Sequence, residues 1–503
     1  MESLTSAGAE RAASTDQPRP HVVLLASPGA GHLIPLAELA RRLVEHHGFA
    51  ATLVTFTDLT SSPEAQSGVP ASVATASLPS VPLDDLATNT PMETVLFELV
   101  RRSLPHLRDL LRSAAHLAAL VPDFFCSAAL PLAAELGVPS YVFIPSNLTA
   151  LAIMRRIVEL HDGVPPGEHH DLPDPLELPG GVSLRHADLP CGFQSSKELV
   201  YAHLIEEGRR YRHADGVLVN TFYEMEPAAV DDFRQAAGEG AFPPVFPVGP
   251  FVRSGAAEPG DSACLEWLDR QPTGSVVYVS FGSGGSLSVE QTAELAAGLE
   301  ASGYRFLWVV RMPSMDGKED EGEHGRGKRD NPLAWLPEGF LERTREKGLA
   351  VAAWAPQVRV LSHPATAAFV SHCGWNSTLE SVSCGVPMVS WPLYAEQRMN
   401  AVVLEGSVGM ALPVRPRARD SDGDGGVVLR GEIADALREL MEGPEKGRAV
   451  RREAGDMQQA AAHAWAPEGS SRRALEEAAV AWKAWRGWRG EAVTNMSASG
   501  NPR

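Results

Sequence analysis

Residues 354–397 read WAPQVRVLSHPATAAFVSHCGWNSTLESVSCGVPMVSWPLYAEQ. Within them AAFVSH (367–372) is a short apolar run of buried-strand type, CGWNSTLESVSCG (373–385) is a strand-to-helix turn followed by a helix, and PMVSW (387–391) is the next strand. Strand, turn, helix, strand is the repeating unit of a doubly wound parallel sheet, which binds ligands beyond the carboxyl ends of its strands. Gly374 lets the backbone approach a ligand closely. Asn376, Ser377 and Thr378 fall in the first helical turn, where unpaired N–H groups and the positive end of the helix dipole favour a phosphate. His372, at the strand's end, faces the same anion, and Glu380, one turn beyond Asn376, can accept hydrogen bonds from ribose hydroxyls. Trp354 offers an indole to a flat ring, and Glu396 with Gln397 forms a carboxylate–amide pair suited to a polyol. Taken singly, a Trp is more often packing and a Glu-Gln pair a solvated helix start; the signal is the whole array within 44 residues.

This array resembles the signature box of plant UDP-sugar-dependent glycosyltransferases of family 1 type, which act on small specialised metabolites. SPGAGHLIP (27–35), VLVNTFYEMEP (217–227), VYVSFGSGG (277–285) and RFLWVVR (305–311) extend the likeness over most of the chain, and the flanking sequence most resembles the hydroquinone and monolignol O-glucosyltransferase branch. The resemblance implies a GT-B architecture, two Rossmann-like doubly wound α/β domains facing across a cleft. It implies that Trp354 stacks on uracil, that His372, Asn376 and Ser377 hold the diphosphate, that Glu380 binds ribose, and that Glu396 and Gln397 bind sugar hydroxyls. Ser283, Gly284, Ala355, Gln357, Gly374, Trp375 and Tyr394 complete the implied donor site. Gln397 at the closing position, together with Trp375, implies UDP-glucose as the co-substrate. No cofactor and no metal are implied.

Gly29-Ala30-Gly31-His32 follows HVVLLA (21–26), an apolar run of buried-strand type, and opens a helix with Leu33, Leu36, Leu39 and Leu43 on one face. His32 should therefore project into the ligand crevice, where an imidazole near neutral pKa can take the proton of a weakly nucleophilic hydroxyl. A histidine at a helix start is otherwise a capping or surface residue; the match to the family's PGxGHxxP element makes it the base. In that family an Asp from the middle of the N-terminal half pairs with this His. Asp123 in LVPDFF occupies the matching place and would orient the imidazole as the Asp of a Ser-His-Asp triad does. Pro122 beside it is unusual inside a strand and marks a strand end. Phe125 is expected to wall an aromatic acceptor pocket, and Glu93 matches a family position close to the acceptor.

A chain of 503 residues is too long for one ordinary core and suits two α/β domains. With 44% hydrophobic and 21% charged residues it is globular rather than disordered, and a net charge of −19 argues against nucleic acid or an anionic membrane as the main partner. No apolar run approaches the roughly 20 residues of a membrane span. Five cysteines without a CxxC suit a reducing compartment, and the expectation is a cytoplasmic monomer with no stable membrane insertion. The expected organisation is a disordered tail (1–19), an acceptor-binding domain (20–252), a linker (253–262), a UDP-sugar-binding domain (263–466), a helix crossing the domain junction (467–490) and a flexible tail (491–503). Trp482, Trp485 and Trp488, three apart, are expected on one face of that helix. Residues 313–330 and 416–428 read as surface loops.

Two motifs are deceptive. Asp420, Asp422, Asp424 and Gly425 mimic the opening of an EF-hand loop and include a literal D-x-D, but position 12 of that loop is Gly431 and PVRPRAR before it cannot form the entering helix. GSGG at 282–285 lacks the third glycine of a dinucleotide loop, because position 287 is Leu. The sequence thus points to an inverting, metal-independent glucosyltransferase that joins UDP-glucose to a small phenol as a β-O-glucoside. C-glucosylation of a flavonoid-like ring uses the same base and donor site; a UDP-sugar epimerase, or a UDP-sugar-binding protein without catalysis, is the rival of a different class.

Overall fold

The computed structural model describes residues 19–59, 69–165, 170–253, 262–314, 331–414 and 426–496, the side chains of 486–496 excepted. The tail before residue 19, most of the expected linker and the aspartate-rich segment at 420–424 lie outside the described residues, as does most of 313–330.

Apart from the largely exposed strand Ala74–Leu78, the N-terminal half is built on short apolar strands with side chains buried on both sides, the pattern of parallel strands covered by helices. β1 (His21–Leu25), β2 (Ala50–Phe56), β3 (Ala74–Leu78) and β4 (Leu117–Pro122) form a parallel sheet in the order β3-β2-β1-β4. β5 (Tyr141–Ile144) adjoins β4 through bridges at Leu120–Ser140 and Asp123–Phe143. An antiparallel hairpin of β6 (Leu176–Leu178) and β7 (Val182–Leu184) follows, and β8 (Gly216–Val219) and β9 (Val245–Pro247) continue the parallel order as β5-β8-β9. The C-terminal half holds a six-stranded parallel sheet from β10 (Val276–Ser280), β11 (Arg305–Val310), β12 (Gly348–Ala352), β13 (Thr366–Ser371), β14 (Met388–Ser390) and β15 (Ala411–Pro413), in the order β12-β11-β10-β13-β14-β15.

Both sheets place their switch points where the sequence puts its chemistry. β1 has β2 on one side and β4 on the other, and β10 has β11 and β13, so the chain order reverses beside β1 and beside β10 and leaves a crevice at the carboxyl ends there. Leu25 pairs with Pro122, which sends Ser27 and Asp123 past one edge together. Ser280 pairs with Ser371, which does the same for Gly282 and His372. Pro122 is indeed the last residue of its strand. Reading from sequence misses β3, β9 and β15, whose patterns are short or largely exposed, and the β6-β7 hairpin, which no apolar run announces. The strand β12 ends at Ala352, because Ala353 adopts a left-handed φ of 64° that turns the chain out of the sheet.

The carboxyl-terminal helix Ser470–Met496 returns from the C-terminal half to the N-terminal core. Trp465, just before it, donates from Nε1 to the Gly249 carbonyl at 3.0 Å and lies under the Arg42 guanidinium at 3.6 Å. Trp482 is wholly buried with Leu475, Ala478 and Ala479 and meets Phe49 and Tyr141 edge-on. Trp485 corrects the expectation of a single tryptophan face: its ring is 44% exposed and its Nε1 donates to the Gly137 carbonyl at 2.9 Å. Three residues fall short of a full helical turn by roughly 60°, so tryptophans three apart drift round the helix; the Trp488 side chain lies outside the described residues. No described helix is long and apolar enough to cross a membrane. All five cysteines are free thiols.

Trp482→Ala should lower stability by about 3–5 kcal/mol, the range for truncating a large aromatic in a packed core, whereas Trp485→Ala should cost no more than about 1 kcal/mol. Urea unfolding midpoints of the two variants test the difference.

Candidate functional site

Gly29 adopts φ 118° between β1 and the helix Ala30–His47, a conformation that side chains rarely take, and this turn aims His32 across the crevice. Nδ1 of His32 lies 2.9 Å from Oδ2 of Asp123. Asp123 is fully buried and caps the short 3₁₀ turn Phe124–Ala129, so it cannot draw on water. Its oxygens instead accept from the Ser27 hydroxyl at 2.6 Å, the Ser27 N–H at 3.1 Å and the Phe125 N–H at 3.3 Å. With three other donors already converging on it, the carboxylate is placed to accept from His32, which fixes the proton of neutral His32 on Nδ1 and leaves Nε2 basic. Burial disfavours the imidazolium, but the Asp123 charge and hydrogen bond, with the Glu396 charge, outweigh it and raise the His32 pKa above its ordinary value. Ser27 is a residue the sequence reading missed; its signal was its place at the carboxyl end of β1.

Phe125 stands beside this pair, its ring centroid 5.4 Å from that of His32 and 5.5 Å from that of Phe97. Phe97 in turn lies 5.1 Å from His203. Glu93 is in the first turn of the helix Met92–Ser113, one turn before Phe97, on the same helix face as the aromatic wall of Phe125, Phe97 and His203.

On the opposite wall β13 delivers His372, then Cys373 with φ 64°, then Gly374 as the residue before the helix Trp375–Cys384. The imidazole of His372 is pinned between two glycines: a methyl group at Gly282 would stand 2.6 Å from Nε2, and one at Gly374 2.5 Å. Burial pushes the His372 pKa down to about 4, the Ser280 backbone offsetting only part of it, so the ring is a neutral donor at pH 7 and not a charge. It is therefore Gly282, rather than its predicted neighbours Ser283 and Gly284, that shapes the pocket of His372; Ser283 is exposed, and Gly284 faces the Tyr394 hydroxyl. Asn376 donates from Nδ2 to the Gly31 carbonyl at 3.2 Å, which brings the donor helix against the residue next to His32.

Gln357 opens the helix Gln357–Leu361 and donates from Nε2 to the Ser377 hydroxyl at 2.8 Å and to the Glu380 carboxylate at 2.6 Å. Burial raises the Glu380 pKa to about 7, against the lowering effect of Gln357 and Arg253. Trp354 follows the turn at Ala353 with its ring 42% exposed, free to serve as a platform, and Ala355 is buried beside it. Glu396 and Gln397 begin the helix Gln397–Glu405, and the Glu396 charge reaches His32.

Two of the predicted contacts need correction. Trp375 is 3% exposed and its Nε1 donates to the Asn220 carbonyl at 2.7 Å, so its ring pins the two halves together. Gln397 spends its Oε1 on the N–H groups of Leu393 and Tyr394, at 2.9 and 3.0 Å, and so offers a sugar its amide NH₂ but no acceptor.

Residues 243–415 match the family model described as UDP-glucoronosyl and UDP-glucosyl transferase. UDP-glycosyltransferase 72B1 of Arabidopsis thaliana is 43% identical over 475 residues, covering 92% of this chain and 96% of the relative. Hydroquinone glucosyltransferase of Rauvolfia serpentina is 42% identical, with 92% and 98% covered. A solved UDP-glucosyltransferase from Polygonum tinctorium, described as capable of glucosylating indoxyl and bound to 3,4-dichloroaniline, superposes with a TM-score of 0.82 at 42% identity over 93% of this chain and 99% of its own.

Gly374→Ala keeps an ordinary φ of −61° but forces the His372 ring aside. The overpacking should cost about 1–3 kcal/mol of stability. UDP affinity should fall with it, and Gly282→Ala, which adds backbone strain at φ 74°, should do more damage. Thermal unfolding with and without UDP checks both; full affinity in either variant would remove His372 from the donor site.

Proposed function

The chain belongs to the plant family 1 UDP-glycosyltransferases and has their GT-B fold, and on that premise we propose that it transfers glucose from UDP-glucose to a hydroxyl of a small phenol, inverting the anomeric centre without a metal. The carrying observation is the 2.9 Å contact between His32 and a buried, fully solvated-by-protein Asp123, at a switch point that Asn376 ties to the donor helix. A binding protein has no use for such a base.

In this reading Nε2 of His32 takes the phenol proton as the oxygen attacks the sugar's anomeric carbon from the face opposite UDP. The imidazolium that forms is stabilised by Asp123 and Glu396. UDP departs with negative charge that the N–H groups opening the Trp375–Cys384 helix, the Asn376 and Ser377 side chains and neutral His372 receive. These donors are in place before reaction and supply what a divalent cation supplies elsewhere. One displacement converts the α linkage of the donor to β. Trp354 takes the uracil face, Glu380 the ribose, and Glu396 with the Gln397 amide the glucose hydroxyls. The wall of Phe125, Phe97 and Glu93 suits a flat aromatic acceptor, and a relative named for hydroquinone supports a phenol. The reducing, cytoplasmic setting inferred from the cysteines suits such an enzyme.

A UDP-glucose assay over a panel of phenols, with product mass and linkage determined, tests the reading: acid-stable or β-glucosidase-resistant products would favour carbon transfer, and turnover without acceptor would favour epimerisation. His32→Ala should reduce transfer by about 10²–10⁴-fold with UDP affinity nearly intact. The base must be unprotonated, and its pKa is raised, so the acid limb of kcat/KM should have its inflection above about 6.5. Asp123→Asn removes the raising charge and should move that inflection to lower pH while slowing the reaction; an unmoved limb would assign it to another group.

EDTA should leave turnover unchanged. Loss on chelation with recovery on adding Mg²⁺ or Mn²⁺ would instead call for a metal site, with residues 420–424 the first candidates.

A further inference from the structure

Asn147 and Asn400 are 253 residues apart in sequence and both wholly buried, yet Nδ2 of Asn147 donates to Oδ1 of Asn400 at 2.8 Å. Asn147 belongs to the acceptor half: it follows β5 and caps the helix Leu148–His161, its Oδ1 accepting from the Ala150 N–H at 2.9 Å. The Leu148 N–H is held by the Glu226 carboxylate at 3.2 Å, so the cap is fixed from two sides. Asn400 belongs to the donor half, one turn after Glu396, with which its side chain also interacts. Nδ2 of Asn400 donates to the Cys373 carbonyl at 3.0 Å, in the left-handed residue between His372 and Gly374. One amide pair thus joins the acceptor half, the helix that carries the sugar-binding pair and the turn that carries the diphosphate donors.

We propose that Asn147 and Asn400 are a positioning pair that sets the register between the two halves, so that the His32-bound acceptor oxygen lies in line with the anomeric carbon. The physical case is that a buried amide is costly unless paired and has fixed donor and acceptor ends, so this pair tolerates little sliding. Of the other ties at this junction, Trp375, Asn376 and Arg398 each donate to a backbone carbonyl, so none of the three depends on a side chain of the other half, and the Ser470–Glu224 contact belongs to the start of the crossing helix. Misplacement of reacting groups by about 1 Å costs on the order of 10²-fold in rate, whereas the donor pocket lies within one half and should survive a shift. The proposal rests on the transferase reading above.

The test uses Asn147→Ser, which keeps a capping oxygen while losing the reach to Asn400, Asn400→Ala, and the double variant. UDP affinity, kcat for transfer and the ratio of UDP-glucose hydrolysis to transfer are measured for each. The expected result is a fall of about 10–100-fold in kcat for Asn147→Ser, UDP affinity within about threefold, and a raised hydrolysis ratio, because water still reaches a donor that the acceptor no longer meets in line. The double variant should lose little more than the worse single, as partners in one contact do. Wild-type kcat in Asn147→Ser, rate losses that merely follow UDP affinity at an unchanged hydrolysis ratio, or additive losses would each overturn the pairing. Absence of transfer by the unaltered enzyme would instead defeat the transferase reading itself.

Discussion

Burial of Asp123 is the constraint on which the site depends. A carboxylate with no exposed surface is tolerable only because two N–H groups, a hydroxyl and an imidazole meet it, and those donors come from the turn after β1, from its own turn and from the helix Ala30–His47. The parallel register that sets Leu25 against Pro122 brings them together. A shift of register by one residue would point every side chain of the strand to the other face and strand the charge. The same burial supplies the electrostatics: in a screened, low-dielectric crevice the Asp123 charge raises the His32 pKa against a desolvation penalty that alone would lower it.

The opposite wall uses burial to the contrary effect. Among the described residues His372 faces no carboxylate that compensates its desolvation, its pKa falls to about 4, and it stays a neutral donor. Two histidines facing the carboxyl-end crevice, His32 in the helix after β1 and His372 directly after β13, are thus set apart by their neighbours, one suited to act as a base and one as a hydrogen-bond donor. Separation of roles among like groups by environment is a general route to acid–base chemistry near neutral pH. Around His372 the chain needs glycine for two reasons, positive φ at Gly282 and close approach at Gly374.

Three of the polar contacts between the halves end on residues just past strand ends of the N-terminal half. Trp375 reaches Asn220 after β8, Asn376 reaches Gly31 after β1, and Asn400 reaches Asn147 after β5. Each contact therefore lies at the crevice rather than at the back of the sheets, and the crossing helix Ser470–Met496 closes the far side by sinking Trp482 into the N-terminal core. Polar, directional bonds at the mouth and an apolar anchor behind it make a junction that has a defined register yet is not a continuous hydrophobic core.

The sequence by itself determined the class of fold, the two sheets and a helix start suited to a phosphate, because these are local: apolar runs of strand length, a glycine turn and the first turn of a helix are read from adjacent residues, whereas His32 was named as a base through likeness to a family. It also named Asp123, though only through likeness to a family, since nothing within LVPDFF says which imidazole it meets. Only the tertiary structure decided direction and partnership. Trp375 and Gln397 sit at their expected places, but one indole turns to the other half and one amide oxygen is taken by its own turn. Ser27 and the Asn147–Asn400 pair carry no motif at all; hydrogen bonds span 96 and 253 residues there, and which groups fall within 3 Å depends on strand order and on the packing of one sheet against another. A side chain's type is written in the chain, whereas the use of its two ends is settled by what the fold brings to each of them.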